Sequence, residues 1–360
     1  MRSVKARYTT SPCRLAELGL VTEGALRMAP LVGLPRLLAD QGLDASAVIH
    51  EVGCDPALFG DPDNTIDFAA VGRLLVHTAA VTGNPYPGLE LGRRSGLGAL
   101  GPLGQAIRLA ADVGTALRAL ILHFHLHNRS AVPSLWETKT EAVFGYTMYC
   151  PDVPGTDHIY DAALAISLNA IAELAGRGWK ATEVRLFRDP PPDTEPFHRH
   201  FRTRLRFGAD HAGIVCSAAD LARPLAGADP SAYVLALRKL SDMEAWTDAG
   251  LLTNQVRRLL HRLFISGSGP EGIDLRRIAR LFALHPRTLN RRLRAEGTTF
   301  NALLAETRYA IARQLLRDTR LQTRDIAFIL GYAASASFDL AFRRWSGTTA
   351  TAWRFSHRPR

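Results

Sequence analysis

Only four cysteines occur in 360 residues, Cys13, Cys54, Cys150 and Cys216, and they lie far apart. No pair has zinc-ligand spacing, and four thiols do not make a disulfide framework, so a reducing cytoplasm is the expected setting. No apolar run reaches the roughly 18 residues of a membrane-spanning helix. The N-terminal segment starts basic, but Glu17 and Glu23 interrupt any apolar stretch, and no secretory leader is expected. A nucleophile elbow, a phosphate-binding loop and a paired-histidine zinc motif are all missing, as is any solenoid repeat. No cofactor and no metal are expected.

Lysine is absent from residue 251 onward. The positive charge there rests on 20 arginines against 7 acidic residues, a balance of +13. The whole chain carries +10, which leaves −3 for residues 1–250. Charge gathered in one block calls for a polyanionic partner, and the pattern inside the block must say which. The remaining composition, 47% apolar and 22% charged, is that of a soluble protein with a sizeable core, and the length fits two or three domains.

Residues 1–25 read as a poorly structured arm. Helical periodicity begins at Leu31 and continues through SAVIHEVG and DFAAVGRLLVHTAAVTG, with Asp67 placed to cap the latter. GPLGQAIRLAADVGTALRALILHFHLH reads as two helices that break at Asp112 and Gly114. The period then changes. TKTEAVFGYTMYC, ATEVRLFRD and RLRFGADHAGIVCS read as strands, with a helix over about residues 157–175 among them and a turn-rich FRDPPPDTEP loop. Residues 26–228 therefore form an α+β domain of helices with a small antiparallel sheet, and residues 229–252 a helical linker broken near Pro230. Residues 253–356 form an all-α domain of two helix-turn-helix units joined by a long helix, with a flexible segment at 265–272.

The first unit spans about residues 274–297. Asp274 caps a helix whose inner stripe is Leu275, Ile278, Ala279 and Phe282. Pro286 opens the next helix, where its missing N–H costs nothing, and Gly297 closes it. Leu289 and Leu293 share its inner face, while Arg287, Asn290, Arg291 and Arg294 fall on the other. That division is what a helix entering a major groove requires, since Arg bridges guanine and Asn reads adenine. The second unit, about residues 323–347, repeats the plan. Thr323 is the expected cap, Ile326, Ala327 and Leu330 the inner stripe, and Gly331 the turn. Ser335 begins a helix with Phe338, Ala341, Phe342 and Trp345 inward. The expected partner is double-stranded DNA.

This tandem resembles the AraC/XylS family of bacterial transcription regulators. The match is carried by IARLFALHPRTLNRRLRAEGTTF, ETRYAIARQLL and DIAFILGYAASASFDLAFRRWSGTTATAWR, in order and at the family's spacing. The resemblance implies base reading by Arg287, Asn290 and Arg291 in the first unit and by Ser335, Ala336, Ser337 and Leu340 in the second. Thr288, Arg294, Arg343 and Arg344 are the expected phosphate contacts. The sequence departs from the family pattern at Ala283 (usually Gly), His285 (usually a capping Ser), Asp339-Leu340 (usually Ser-Arg) and Ala350 (often Pro). The first unit is therefore expected to dominate affinity and specificity.

Residues of about 30–225 resemble, more loosely, the effector-binding domain of one subgroup of that family. This implies a small-molecule effector, self-association into a homodimer and RNA polymerase as a further contact. The helix-first order argues against assuming a sugar. Effector candidates are His123, His125, Trp136 and Tyr146; Tyr149 and His127 belong to the same segments. His123, His125 and His127 share a face if HFHLH is a strand, and His123 and His127 stack if it is a helix. The glycine pattern at residues 96–101 lacks the preceding strand and later acidic residue of a dinucleotide site and reads as a helix entry. Two alternatives stand beside the effector-controlled regulator. One is a constitutive regulator whose N-terminal domain only dimerises. The other is a DNA-repair enzyme, which would need an activated thiolate.

Overall fold

The computed structural model describes residues 24–148, 153–209, 211–247, 252–265, 273–282, 284–319 and 321–357. Most of the expected N-terminal arm lies outside these residues, as do Cys13, Tyr149, Cys150, Ala283 and nearly all of the 265–272 segment. Ala25 corrects the arm's boundary, for it opens β1 (Ala25–Arg27), which pairs antiparallel with β2 (Thr65–Asp67). Three residues carry too little alternation to be read as a strand from sequence.

Three helices follow the expected segments: α1 (Leu34–Ala39), α2 (Ala45–Glu51) and α3 (Phe68–Thr82). Asp67 does cap α3, accepting from the Ala69 N–H at 3.2 Å. Next come α4 (Pro87–Arg93), α5 (Pro102–Ile107) and α6 (Val113–His123). Asp112 breaks the chain between the last two by capping α6, where it accepts from Thr115 N–H at 2.7 Å. Within residues 96–101, Leu97–Leu100 form a 3₁₀ turn that leads into α5, with Gly101 at φ 57°.

The sheet contains β3 (Ala131–Glu137), β4 (Glu141–Met148), β5 (Glu183–Arg185), β6 (Arg204–Arg206) and β7 (Gly213–Ser217), in the order β3-β4-β7-β5-β6. Its pairings are antiparallel except β5 with β6 at one edge. Strand β3 is not legible in the sequence because Pro133 speaks against a strand. It forms the other edge, where proline is tolerated. Between strands lie α7 (Thr156–Ala175) and α8 (Glu195–Phe201). Helix α8 begins at the end of the expected turn-rich loop and is not itself expected; buried Phe197 and Phe201 anchor it.

Helix α7 packs on α4 at backbone distance. A Cβ on Gly88 would lie 1.9 Å from the His158 carbonyl oxygen, and one on Gly92 2.6 Å from that of Ala162. The side-chain amide of Asn169 donates to the carbonyls of Gly92, Arg93 and Ser95 at 3.3, 3.2 and 2.6 Å, closing the end of α4. Helix α7 also touches β4 and β7, so one apolar core joins helices and sheet. Pro230 does not break a helix but opens α9 (Pro230–Thr247), which packs on α5.

A second, separate core belongs to the C-terminal helices. These are α10 (Leu252–Ile265), α11 (Leu275–Leu281), α12 (Pro286–Ala295), α13 (Phe300–Asp318), α14 (Thr323–Ile329), α15 (Ser335–Ser346) and α16 (Ala350–His357). Among the described residues, no helix is long and apolar enough to cross a membrane.

Gly88→Ala forces backbone apart and should destabilise the chain by about 1–3 kcal/mol or more. Gly98→Ala, with nothing within 4 Å of the added carbon, should stay within about 1 kcal/mol of wild type. Denaturant unfolding of both variants checks the contact; equal midpoints would show that α4 and α7 are not in close contact.

Candidate functional site

In the first helix-turn-helix unit, Asp274 caps α11 by accepting from Arg277 N–H at 2.7 Å. Ile278 and Ala279 are fully buried, and Leu275 and Phe282 half-buried. His285 stands at the N-cap of α12, and its Nδ1 accepts from Arg287 N–H at 3.3 Å. The departure from the family's capping serine thus keeps the capping function. Pro286 follows at the first helical position.

Leu289 and Leu293 are 0% exposed, whereas Arg287, Arg291 and Arg294 are exposed and Thr288 and Asn290 half-buried. Asn290 Oδ1 has no hydrogen-bond partner among the described residues. The exposed face of α12 forms one wall of a concave surface. The other wall is Arg276 and Arg280 of α11, so five arginines and no acid line it. Sequence reasoning missed Arg276 and Arg280. Their four-residue spacing opposite the Ile278–Ala279 stripe is the signal that identifies them.

The second unit is built differently at its start. Gln322, not Thr323, holds the N-cap of α14, and no side chain caps it. Ile326, Ala327 and Leu330 are buried as expected. Gly331 turns the chain at φ 79°. Arg308 of α13 secures that turn, donating from Nε to the Leu330 carbonyl at 2.9 Å and lying 4.9 Å from the Tyr332 ring centre. Phe338 and Phe342 are fully buried, while Ala341 and Trp345 are half-buried. Ala336, Ser337, Leu340, Arg343 and Arg344 are exposed and Ser335 half-buried.

Helix α12 is also tied to the start of the domain. The carboxylate of Glu296, at its C-cap, accepts from Leu252 N–H at 3.0 Å and Thr253 N–H at 2.8 Å, the first turn of α10. Burial opposes the charge, but hydrogen bonds from Thr253 and Leu252 hold this carboxyl below its ordinary value.

The N-terminal core contains a cavity of about 80 Å³. Its walls are apolar, with Phe68, Leu75, Phe124, Phe144, Ile166 and Leu174 among them, and α7 supplies one whole side. The polar residues that line it are His127, Asn128, Tyr146 and Ser167. Of the four expected effector residues only Tyr146 lines it. His123 ends α6 and is buried, His125 sits in a 3₁₀ turn, and Trp136 is half-buried with its ring 4.7 Å from that of His211. HFHLH is neither strand nor continued helix. The 3₁₀ turn Phe124–Leu126 rotates the chain so that His127 faces the cavity. Among the described residues, no group of three or more His, Cys, Asp or Glu is arranged to hold a metal ion. Cys54 and Cys216 are buried, and burial pushes the Cys216 thiol up to about 11, the opposite of activation.

Two helix pairs joined by one long helix, the first pair capped by Asp274 and His285 and flanked by an arginine-lined groove, define a helix-turn-helix DNA-binding protein with a separate N-terminal domain. Residues 42–225 match the arabinose-binding domain of AraC transcription regulators, and residues 278–355 match a helix-turn-helix domain. The chain belongs to the AraC family of transcription regulators. It is 29% identical over 332 residues to the HTH-type transcriptional regulator VirS of Mycobacterium tuberculosis, covering 91% of this chain and 96% of that one. It is 27% identical over 320 residues to the ornithine utilization regulator of Pseudomonas aeruginosa, covering 88% and 93%. The crystal structure of the transcriptional regulator CdpR from Pseudomonas aeruginosa aligns with 81% of this chain and 98% of its own, at 23% identity and a TM-score of 0.39. The chain is a DNA-binding transcription regulator and not an enzyme, which removes the repair-enzyme alternative.

Burial, with the charge of Arg27 second, depresses His127 from 6.5 to about 3. Below pH 6.5 the unfolded chain takes up a proton that the folded chain refuses. This group's share of stability is therefore present above pH 6.5 and lost as pH falls toward 3, at about 1.4 kcal/mol per pH unit. Between about pH 7.5 and pH 5 the unfolding free energy of wild type should fall further than that of His127→Leu. Parallel falls would mean that the folded protein protonates His127 freely.

Proposed function

We propose that a small molecule bound in the N-terminal domain controls how the C-terminal domain engages operator DNA, and that the first helix-turn-helix unit supplies most of the sequence choice. The observation that carries the DNA side is the division of α12: two leucines at 0% exposure behind it and a convergent arginine groove in front. Arg287, Asn290 and Arg291 read base edges, and the unpartnered Oδ1 of Asn290 suits the amino group of adenine. Arg276, Arg280, Thr288 and Arg294 grip phosphate. In the second unit Ser335, Ala336, Ser337 and Leu340 face bases, and Arg343 and Arg344 face phosphate. Helix α13 has 19 residues and spans about 29 Å, close to the roughly 34 Å turn of DNA that two reading helices on one face must match. The regulator acts in the cytoplasm as a homodimer, with RNA polymerase as a further contact. The cavity in the N-terminal core supports effector control over a domain that only dimerises.

Selection from a random DNA pool supplies the operator for the test. On it, Arg291→Ala should lose about 1–3 kcal/mol and relax one base position. Arg276→Ala should weaken all sequences alike and lower the salt slope by about 1. Unchanged binding in both would remove α12 from the groove. Leu340→Arg should raise affinity for any DNA and steepen the salt dependence; an unchanged slope would show that α15 presents a different face.

A further inference from the structure

We infer that the cavity in the N-terminal core is the effector site and that it takes an uncharged, largely apolar molecule about one ring in size, bearing a single hydrogen-bonding group that meets His127. This rests on the effector-controlled reading above and names the ligand's chemistry.

Size comes first. A volume of about 80 Å³ is about half of the roughly 150 Å³ that takes up benzene in an apolar protein interior, so one small ring is the upper limit of what it admits. Charge comes next. Among the described residues no lysine, arginine, aspartate or glutamate lines the cavity, and Arg27, whose charge reaches His127, is already paired with Asp63, so an ionised ligand would be buried without a free counter-charge in contact with it, a cost far above that of any neutral group. A sugar is disfavoured by the same accounting, since besides His127 the described polar lining is only Asn128, Tyr146 and Ser167. Each of its hydroxyls needs a partner, and an unpaired one costs about 1–3 kcal/mol. Asn128 is already engaged, donating from its amide to Tyr146 Oη at 3.2 Å and accepting from Ser130 N–H at 2.7 Å.

His127 is different. It is 5% exposed, lines the cavity, and its Nδ1 has no hydrogen-bond partner among the described residues. A buried polar atom without a partner is rare and calls for one. A ligand hydroxyl serves whichever tautomer the imidazole adopts, because it both donates and accepts. The Phe124 ring, 5.4 Å from that of His127 and 6.2 Å from that of Tyr146, forms an aromatic wall beside this polar point. Helix α7 forms the long side through Ala162, Ala163, Ile166 and Ala170. An occupant therefore packs against the same helix that fixes α4.

The full-length chain is titrated with phenol, benzene, benzoate and L-arabinose, and binding is read by thermal shift and calorimetry. Phenol should bind saturably and raise the unfolding temperature. Benzene should bind about fivefold to tenfold more weakly, the loss of one hydrogen bond. Benzoate and arabinose should not bind. His127→Leu should bring phenol and benzene to equal affinity, and Ala163→Leu, which narrows the cavity, should weaken both. Should Ala163→Leu fail to fold, the phenol-to-benzene ratio in His127→Leu still decides. Stabilisation by arabinose or benzoate above phenol would overturn the ligand class and leave effector control standing. Binding of none of the four would make the cavity a packing void. An unchanged phenol-to-benzene ratio in His127→Leu would place the ligand elsewhere. If phenol binds as expected but operator affinity does not change, the site stands and effector control fails.

Discussion

Helix α7 can lie against α4 only because residues 88 and 92 have no side chain. Much of the N-terminal domain depends on that approach. With its backbone held at α4, α7 also contacts β4 and β7 and walls the cavity. Polar groups pin it along its length. Asp161, 1% exposed, pairs with Arg188 at 2.7 Å, and burial pushes its carboxyl up to about 7 in spite of that partner. Asn169 closes the end of α4, and Glu173 accepts from Leu97 N–H at 3.1 Å and pairs with Arg108. These bonds fix the rotation of an otherwise apolar helix, which apolar contact alone leaves loosely specified. A cavity wall needs a fixed rotation, since turning the helix would change every residue that faces the ligand.

The DNA-binding domain meets the same problem with long side chains in place of close backbones. Arg308 clasps the turn of the second unit, Arg354 donates from Nε to the Leu316 carbonyl at 3.0 Å, and Glu296 joins the end of α12 to the start of α10. The block's +13 charge is therefore not all directed at DNA. Some arginines hold the domain together through their geometry, a planar fork reaching a carbonyl, which a lysine would not reproduce. The arginines that converge in the α11–α12 groove are a distinct subset, recognisable because they project away from the core.

What was legible in the sequence follows the length of its signals. Helices α3, α11, α12, α13 and α15 carry several turns of periodicity or a capping residue, and the residues that end them stand where the pattern places them; α6 starts at its expected cap, Asp112, but ends at His123, short of His127. The β1–β2 ribbon, β3 and α8 carry no such signal. The first is too short, the second contains Pro133, and the third is a seven-residue helix held by two phenylalanines whose partners lie far along the chain. The outward face of α12 was legible because burial of Leu289 and Leu293 dictates what points outward. The cavity was not, because a 3₁₀ turn after His123 shifts the face on which the next histidine falls. Neither a strand nor a helix period describes that turn.

The inequality of the two units runs deeper than the reading helices. The helices that support them align residue for residue, Ile278-Ala279 with Ile326-Ala327, both buried. At the flanking positions Arg276 and Arg280 of the first unit become Arg324 and Phe328, and Arg277 becomes Asp325. Asp325 lies 3.6 Å from Arg324 and offsets its charge. Phe328 is 69% exposed and Leu340 68%. The second unit thus replaces guanidinium by apolar surface on both of its helices. Apolar side chains in a major groove can touch thymine methyl groups but cannot bridge guanine or hold phosphate. On the proposed reading, the first unit fixes position and affinity through charge. The second adds discrimination only where its half of the operator offers a methyl group, and its contribution should depend little on salt.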